Sequence, residues 1–277
     1  MKQRLFIPMI LTALACNNPP GFNDPDTDTD KETGNPETGF PSSFLEGKFR
    51  ISSLQLNALG DGQDLNGDGT PDNNLPNALG LVDIAIADQD FSRDGFNTLI
   101  EESIATNVLN ILLDGNHAEL DLALLVLSGT WDPELEVYGI DSGSFGEDEL
   151  PLSDFLGEFS SETTFSVAAQ RAILPVTFQE GEAPLPVPLE GSSIYGELSS
   201  EAVSGQIIGV IPGQEMVDNV LTPMIPEEGA SGMTKEEIID LIQGLTTNET
   251  LMDVPLSDSR RGISAAFTFE AAPQEFE

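Results

Sequence analysis

Residues 108–127 read Val108-Leu-Asn-Ile-Leu-Leu-Asp-Gly-Asn-His-Ala-Glu-Leu-Asp-Leu-Ala-Leu-Leu-Val-Leu127. Two apolar runs, Val108 to Leu113 and Leu120 to Leu127, flank the turn-forming cluster Asp114-Gly115-Asn116. The pattern predicts a buried hairpin, and the chain reads as β from there on. Glu134 to Ile140 alternates. Thr163 to Ala169, Ala172 to Gln179, Pro184 to Leu189, Ser193 to Leu198 and Val203 to Ile211 continue the series, with Gly and Pro between them. Pro184, Pro186 and Pro188 alternate, which makes that segment an edge strand or an extended loop. Gly262 to Ala271 is a last strand, with Ile263, Ala265, Phe267 and Phe269 on one face.

Upstream, Phe44 to Leu59 predicts a strand with a break in its alternation. Leu75 to Ala87 has helical spacing in Leu75, Leu79, Val82 and Ile86, with Asp72 or Asn74 as a cap. Phe96 to Asn107 repeats the spacing with Phe96, Leu99, Ile100 and Ile104. Pro212 to Met224 suits a short helix. Thr234 and Glu237 form a capping box that opens a helix to Gly244, with Ile238, Ile239, Leu241 and Ile242 on its buried side. The expected fold is mainly β with a few helices, an α+β chain. Its form is an antiparallel sandwich or a curved sheet packed against helices. Residues 44–277 make one globular domain.

Between the first strand and the first helix lies Asp61-Gly-Gln-Asp-Leu-Asn-Gly-Asp-Gly-Thr-Pro-Asp-Asn-Asn-Leu75. Asp64, Asn66 and Asp68 place oxygen side chains at alternate positions. Gly69 sits where the chain turns around an ion, and the Thr70 carbonyl and Asp72 carboxylate fall at the seventh and ninth positions. That is the ligand order of calcium loops. Position twelve is Leu75, not the bidentate Glu of an EF-hand. The dozen residues resemble the shorter Asp-rich loops of dockerin-like and thrombospondin type 3 repeats. A plain polar turn is the competing reading, because Asn-Gly and Asp-Gly are turn dipeptides in their own right. Four acidic or amide oxygens in register favour calcium.

A second stretch comes near the EF-hand spacing. Asp90, Ser92, Asp94, Gly95 and Glu101 occupy positions 1, 3, 5, 6 and 12. Asn97 stands at position 8, where that family carries an aliphatic residue. The alternative is that Asp94 caps the following helix.

Residues 1–15 read as a lipoprotein signal. Lys2 and Arg4 precede the apolar run Leu5 to Leu14, which is too short to span a bilayer. Ala13-Leu14-Ala15 then leads to Cys16, the only cysteine in the chain. The stretch is similar to a bacterial lipobox, with Ala13 in place of the usual Leu, and Cys16 is the expected lipidation site. Ala-Leu-Ala also suits ordinary signal peptidase, which would release the protein. Residues 16–43 form an acidic tether in which Asp24, Asp26, Asp28 and Asp30 alternate with Pro and Thr. As a flexible coil it spans ~30 Å.

Ten Lys and Arg face 48 Asp and Glu over 277 residues, a net charge of −38. Loss of Lys2 and Arg4 with the signal deepens the deficit. Such a surface repels nucleic acid and attracts divalent cations. With one cysteine there is no internal disulfide. His117 is the only histidine, and no Gly-x-Ser-x-Gly elbow occurs, so a serine or cysteine hydrolase is not expected. Zinc lacks ligands. No phosphate loop is present. Acidic pairs for glycoside hydrolysis exist, but one Trp and two Tyr are few for a sugar platform.

The folded region resembles a group of uncharacterised acidic lipoproteins from myxobacteria and their relatives. The resemblance rests on the lipobox, the Asp-rich tether, Asp64 to Asn73, the helix pair, and Ala266-Phe-Thr-Phe-Glu-Ala-Ala-Pro273. It implies a cell-surface location and supplies no activity. Asn17 follows Cys16, and by resemblance to the lipoproteins of enteric bacteria the lack of Asp there permits sorting to the outer membrane, so the expected location is the cell envelope, at the outer membrane. The first functional expectation is a calcium-stabilised surface lipoprotein, a non-enzymatic structural or interaction module with an envelope protein as its partner. A carrier of an apolar ligand or lipid in a helix/sheet cavity is the second. A glycan-active enzyme is the third.

Overall fold

A computed structural model describes residues 47–85, 90, 92–118, 121–176, 185–199, 202–225, 234–245, 249, 251–257 and 259–277. The signal, Cys16 and the tether lie outside the described residues. The strands are β1 (Gly47–Leu56), β2 (Ile111–Ala118), β3 (Asp121–Asp132), β4 (Val137–Ile140), β5 (Asp154–Phe159), β6 (Thr164–Val176), β7 (Leu185–Leu198), β8 (Val203–Pro212), β9 (Val254–Pro255) and β10 (Arg261–Pro273). The helices are α1 (Leu75–Ala85), α2 (Arg93–Ala105), α3 (Gly213–Glu215), α4 (Thr222–Met224) and α5 (Lys235–Leu245), with a π-helical turn, Met216–Leu221, joining α3 to α4.

The fold is mainly β, and its form is a closed barrel rather than a sandwich or an open curved sheet. β1, β2, β3, β5, β6, β7, β8 and β10 are antiparallel neighbours in that order. β10 then pairs back with β1, from Phe49↔Pro273 to Leu56↔Phe267. Alternation predicts each strand and each face, but not which strand edges meet. The closing pair joins the two ends of the sheet, more than two hundred residues apart. A register shift between Ile51 and Ser53 accounts for the broken alternation of β1.

Antiparallel neighbours send their connections to alternate ends of the barrel. One end has the short links β2–β3, β5–β6 and β7–β8, with the start of β1 and the end of β10. The other receives the Asp-rich loop with α1 and α2, the β3–β5 excursion, the β6–β7 link, and the helices between β8 and β10. We call these the hairpin end and the helical end. Inward side chains build one core: Phe49, Ile51, Ile111, Leu124 and Phe155 from the first strands, Ile194, Ile207 and Phe269 from the later ones. α1 adds Leu79, α2 adds Ile100, the π turn adds Met216 and α5 adds Ile238. The charge lies outside and the apolar side inside, the reverse of a barrel that spans lipid.

An eight-stranded barrel has an interior just wide enough for side chains to fill. Near the hairpin end a large ring is set against a glycine: Phe165 pairs with Gly196. A Cβ on Gly196 would stand 2.2 Å from the Phe165 ring.

Several local expectations change. Asp114-Gly115-Asn116 is inside β2, where Gly115 pairs with Gly47 on one side and Leu124 on the other. β3 holds all three extended, β1 pairs Asp114 and Gly115 as well, and the pairing of β2 with β3 runs on to Ala118↔Asp121. His117 is therefore in a strand and not in a turn. Residues 164–176 are one strand and 185–198 another, each continuous. β5 was not expected, because its outward residues and Gly157 hide a six-residue alternation. The capping box is present: Thr234 N–H donates to Glu237 at 2.8 Å, and Glu237 N–H donates to Thr234 Oγ1 at 3.3 Å. Of its predicted buried face, Ile238 and Ile242 are buried and Leu241 is half exposed.

Candidate functional site

The Asp-rich loop leaves β1 at Asn57 and enters α1 at Leu75, with Asn74 before the first helical turn accepting from Ala78 N–H. It is wound by its own carboxylates. Asp64 Oδ1 accepts from Gly67 N–H at 2.6 Å and Asp68 N–H at 3.1 Å, and Asp64 Oδ2 accepts from Gly69 N–H at 2.8 Å. Asn66 Oδ1 accepts from Asp68 N–H, and Asp68 Oδ1 from Thr70 N–H. Asp72 Oδ2 accepts from Leu65 and Asn66 N–H at 2.7 and 3.1 Å. Successive turns of this kind need a left-handed residue. Gly67 and Gly69 supply it at φ of 80° and 88°.

The base of the loop is sewn to the outer wall of β10. Asp72 N–H donates to Gln63 C=O at 2.7 Å. Asn73 Nδ2 donates to Asn57 and Ala58 C=O, and its Oδ1 accepts from Ala266 N–H. Asn74 N–H donates to Ser264 Oγ at 2.8 Å, and Ser264 N–H donates to Asp253. Asn73, Asn74 and Ser264 are buried. Sequence reading did not single out Asn57, Asn73, Asp253 or Ser264. The only signal was an Asn pair directly after a turn, where backbone groups need side-chain partners.

The loop acids differ in environment. Asp64, Asp68 and Thr70 are exposed, and Asp72 is buried. Burial pushes the Asp72 carboxyl above its ordinary value, helped by the charges of Asp253 and Asp68 and opposed by the two N–H donors. The Thr70 hydroxyl and N–H hold Asp68 below its ordinary value. Carboxylate, amide and carbonyl oxygens at alternate positions suit a hard cation. Among the described residues, no three His, Cys, Asp or Glu side chains converge as a ready-made metal cluster. An ion here would draw on the Asn66 and Thr70 oxygens as well.

The second predicted loop is arranged as a helix start. Ser92 is the N-cap of α2, its Oγ accepting from Gly95 N–H at 3.2 Å, and Asp90 accepts from Ser92 N–H. The cap is Ser92 and not Asp94, which pairs with Arg93 at 2.6 Å in solvent. Glu101 is exposed on α2. Asn97 uses its amide like a strand neighbour: Oδ1 accepts from Leu56 N–H at 2.7 Å, and Nδ2 donates to Leu56 C=O at 3.1 Å. An aliphatic residue cannot end β1 in that way.

Comparison of the chain with protein-family models, with curated proteins and with solved structures gave no match. The functional reading rests on the chain's own chemistry.

Proposed function

We propose that this protein is a calcium-stabilised structural or interaction module of a bacterial cell envelope, held at the outer membrane by a lipid on Cys16. It is not an enzyme. Its partners are the membrane, through that lipid, and an envelope protein. The observation that carries the reading is the loop from Asp64 to Asp72. Its oxygens follow the order that wraps calcium, and its buried Asp72 is left among like charges that a cation would offset. An ion there stiffens the junction of β1, β10 and α1, in a domain without disulfides. The heavily acidic surface draws the same class of ion.

Thermal melting in EDTA and in millimolar calcium tests the reading. The short ligand set predicts a dissociation constant on the order of 10⁻⁴ to 10⁻³ M. At ten times that constant the fold gains about 1.4 kcal/mol. Asp68→Ala should remove most of the gain, and Glu101→Ala should leave it intact. A melting temperature indifferent to both EDTA and calcium defeats the proposal and leaves a polar turn.

A further inference from the structure

β7 and β8 part before their ends on the helical side. The β7–β8 register reaches Glu190↔Val210 and ends there on the side of the helices. Beyond it, Leu185–Leu189 pairs with β6 alone, while Ile211 and Pro212 of β8 pair with β10. Pro186 and Pro188 lie in this part of β7 and have no N–H to offer a second neighbour. The chain's own sequence thus keeps upper β7 and upper β8 unzipped.

The π-helical turn Met216–Leu221 packs against β7 beside the split. Its Met216 and Val220 meet Val187 and Ile211 around a small cavity of about 20 Å³. Leu79 of α1 and Phe96 of α2 close the cavity toward the helices, and its lining has no polar surface. Water finds no hydrogen-bond partner there. A π turn is a strained form of helix that recurs at functional positions, and the methionine beside it is the most adaptable of the apolar side chains.

A ring of ion pairs stands at the foot of the split. Arg171 of β6 lies 3.5 Å from Glu190 and 2.6 Å from Glu215. Arg260 lies 3.1 Å from Glu190 and 3.6 Å from Glu215. Glu190 is the β7 residue at which pairing with β8 stops, and Glu215 is the residue before the π turn. The ring therefore ties the start of the π turn to the wall where the wall opens. Both arginines are over two-fifths exposed, so salt screens the ring.

We propose that the split is a portal through which one hydrocarbon chain enters the barrel. The π turn is its gate, and the Arg171–Glu190–Glu215–Arg260 ring is its latch. The empty space takes one small group, so the chain enters by displacing Met216 and Val220 outward. A charged headgroup has no partner in the lining and stays outside. The ligand is an alkyl chain, either of a free fatty acid or of a phospholipid. This goes beyond the calcium reading and does not depend on it.

Residues 39–277 form a compact unit of their own, so a chain lacking residues 1–16 serves as the test protein, kept in EDTA and free of detergent. It is titrated with cis-parinaric acid, and separately with phosphatidylcholine vesicles carrying a pyrene-labelled acyl chain. Saturable one-to-one binding of either probe is expected. Dodecanoate should compete with it, and Val220→Trp, which fills the cavity, should weaken it at least tenfold. Val187→Phe fills the same space from the opposite wall and repeats the test should Val220→Trp fail to melt cooperatively. Arg171→Ala, or 1 M NaCl, should speed association about threefold or more without changing the stoichiometry. Binding of parinaric acid alone assigns the free acid as the source, and transfer of the pyrene lipid assigns the phospholipid. No saturable binding of either probe, or binding indifferent to both filling variants, overturns the portal.

Discussion

Asp72 is the residue on which the loop turns. Its carboxyl is held above the ordinary value by burial and by two like charges. In the ion-free protein, folding therefore takes up a proton between the ordinary value and the raised one. The contribution of Asp72 to stability is full below the ordinary value and is lost as pH rises through the raised value. Asp68 is shifted the other way, so its contribution is present above its ordinary value and is lost as pH falls through the lowered one. The two windows lie on opposite sides of the usual carboxylate range. In EDTA, Asp72→Asn should flatten the fall in melting temperature that the wild type shows as pH rises past that range. It should also abolish any calcium response. An unchanged profile in the variant would remove Asp72 from this role. The spacing of Asp64, Asn66, Asp68, Thr70 and Asp72 was legible in the sequence because all five lie in one short stretch of chain. The anchors Asn57, Asn73 and Ser264 were not, because each finds its partner on a segment distant in the chain.

At the scale of elements, α2 is joined to β1 by one side chain. Asn97 satisfies both the N–H and the C=O of Leu56, where the strand runs out of neighbours. Asn97→Leu matches the aliphatic that an EF-hand carries there. In this fold it should cost about 1–3 kcal/mol by leaving two part-buried backbone groups unpaired. Urea unfolding measures the loss, and a neutral result would mean that water replaces the amide. The same junction shows how the near-match at Asp90, Ser92, Asp94 and Glu101 arises. Helix starts and calcium loops both place Asp and Ser at alternate positions, and only the partners tell them apart. The capping box of α5 read correctly because its whole chemistry lies within four residues. β2 read incorrectly at Asp114-Gly115-Asn116, because local turn preference lost to pairing with the neighbouring strands.

For the molecule as a whole, the distribution of charge is the plainest result. The eight basic residues beyond the signal are few, and most of those described serve the fold. Arg50 packs 5.1 Å from the Tyr138 ring and donates to Ile104 C=O, Lys48 donates to Phe276 C=O, and Arg261 donates to Met252 C=O. That leaves the acids to set the outer field, which repels a polyanion. On the proposed function, attachment to a surface falls to a lipid on Cys16. Cys16→Ser should move the protein from the membrane to the soluble fraction and abolish acylation, read by mass spectrometry of the mature N-terminus. A wild-type protein found soluble with a free Cys16 thiol would end the anchor proposal. Strand content was legible in the sequence through alternation. Closure was not, since no local pattern in Phe49–Leu56 names Phe267–Pro273 as its neighbour.

That closure has a consequence in time. β1 cannot complete its pairing until β10 has been made and delivered, and β8 waits for the same strand. Until then the growing chain has two raw sheet edges and an interior open along its side. Such a ring, fastened by its last strand, gains little stability from each partial stage and nearly all of it at the end. Contacts this remote in the chain also make closure slow. Refolding from urea should accordingly lack a stable half-barrel, and a chain cut before Arg261 should pair its exposed edges with other molecules and aggregate. Whatever makes this chain has to keep most of it from collapsing until β10 arrives.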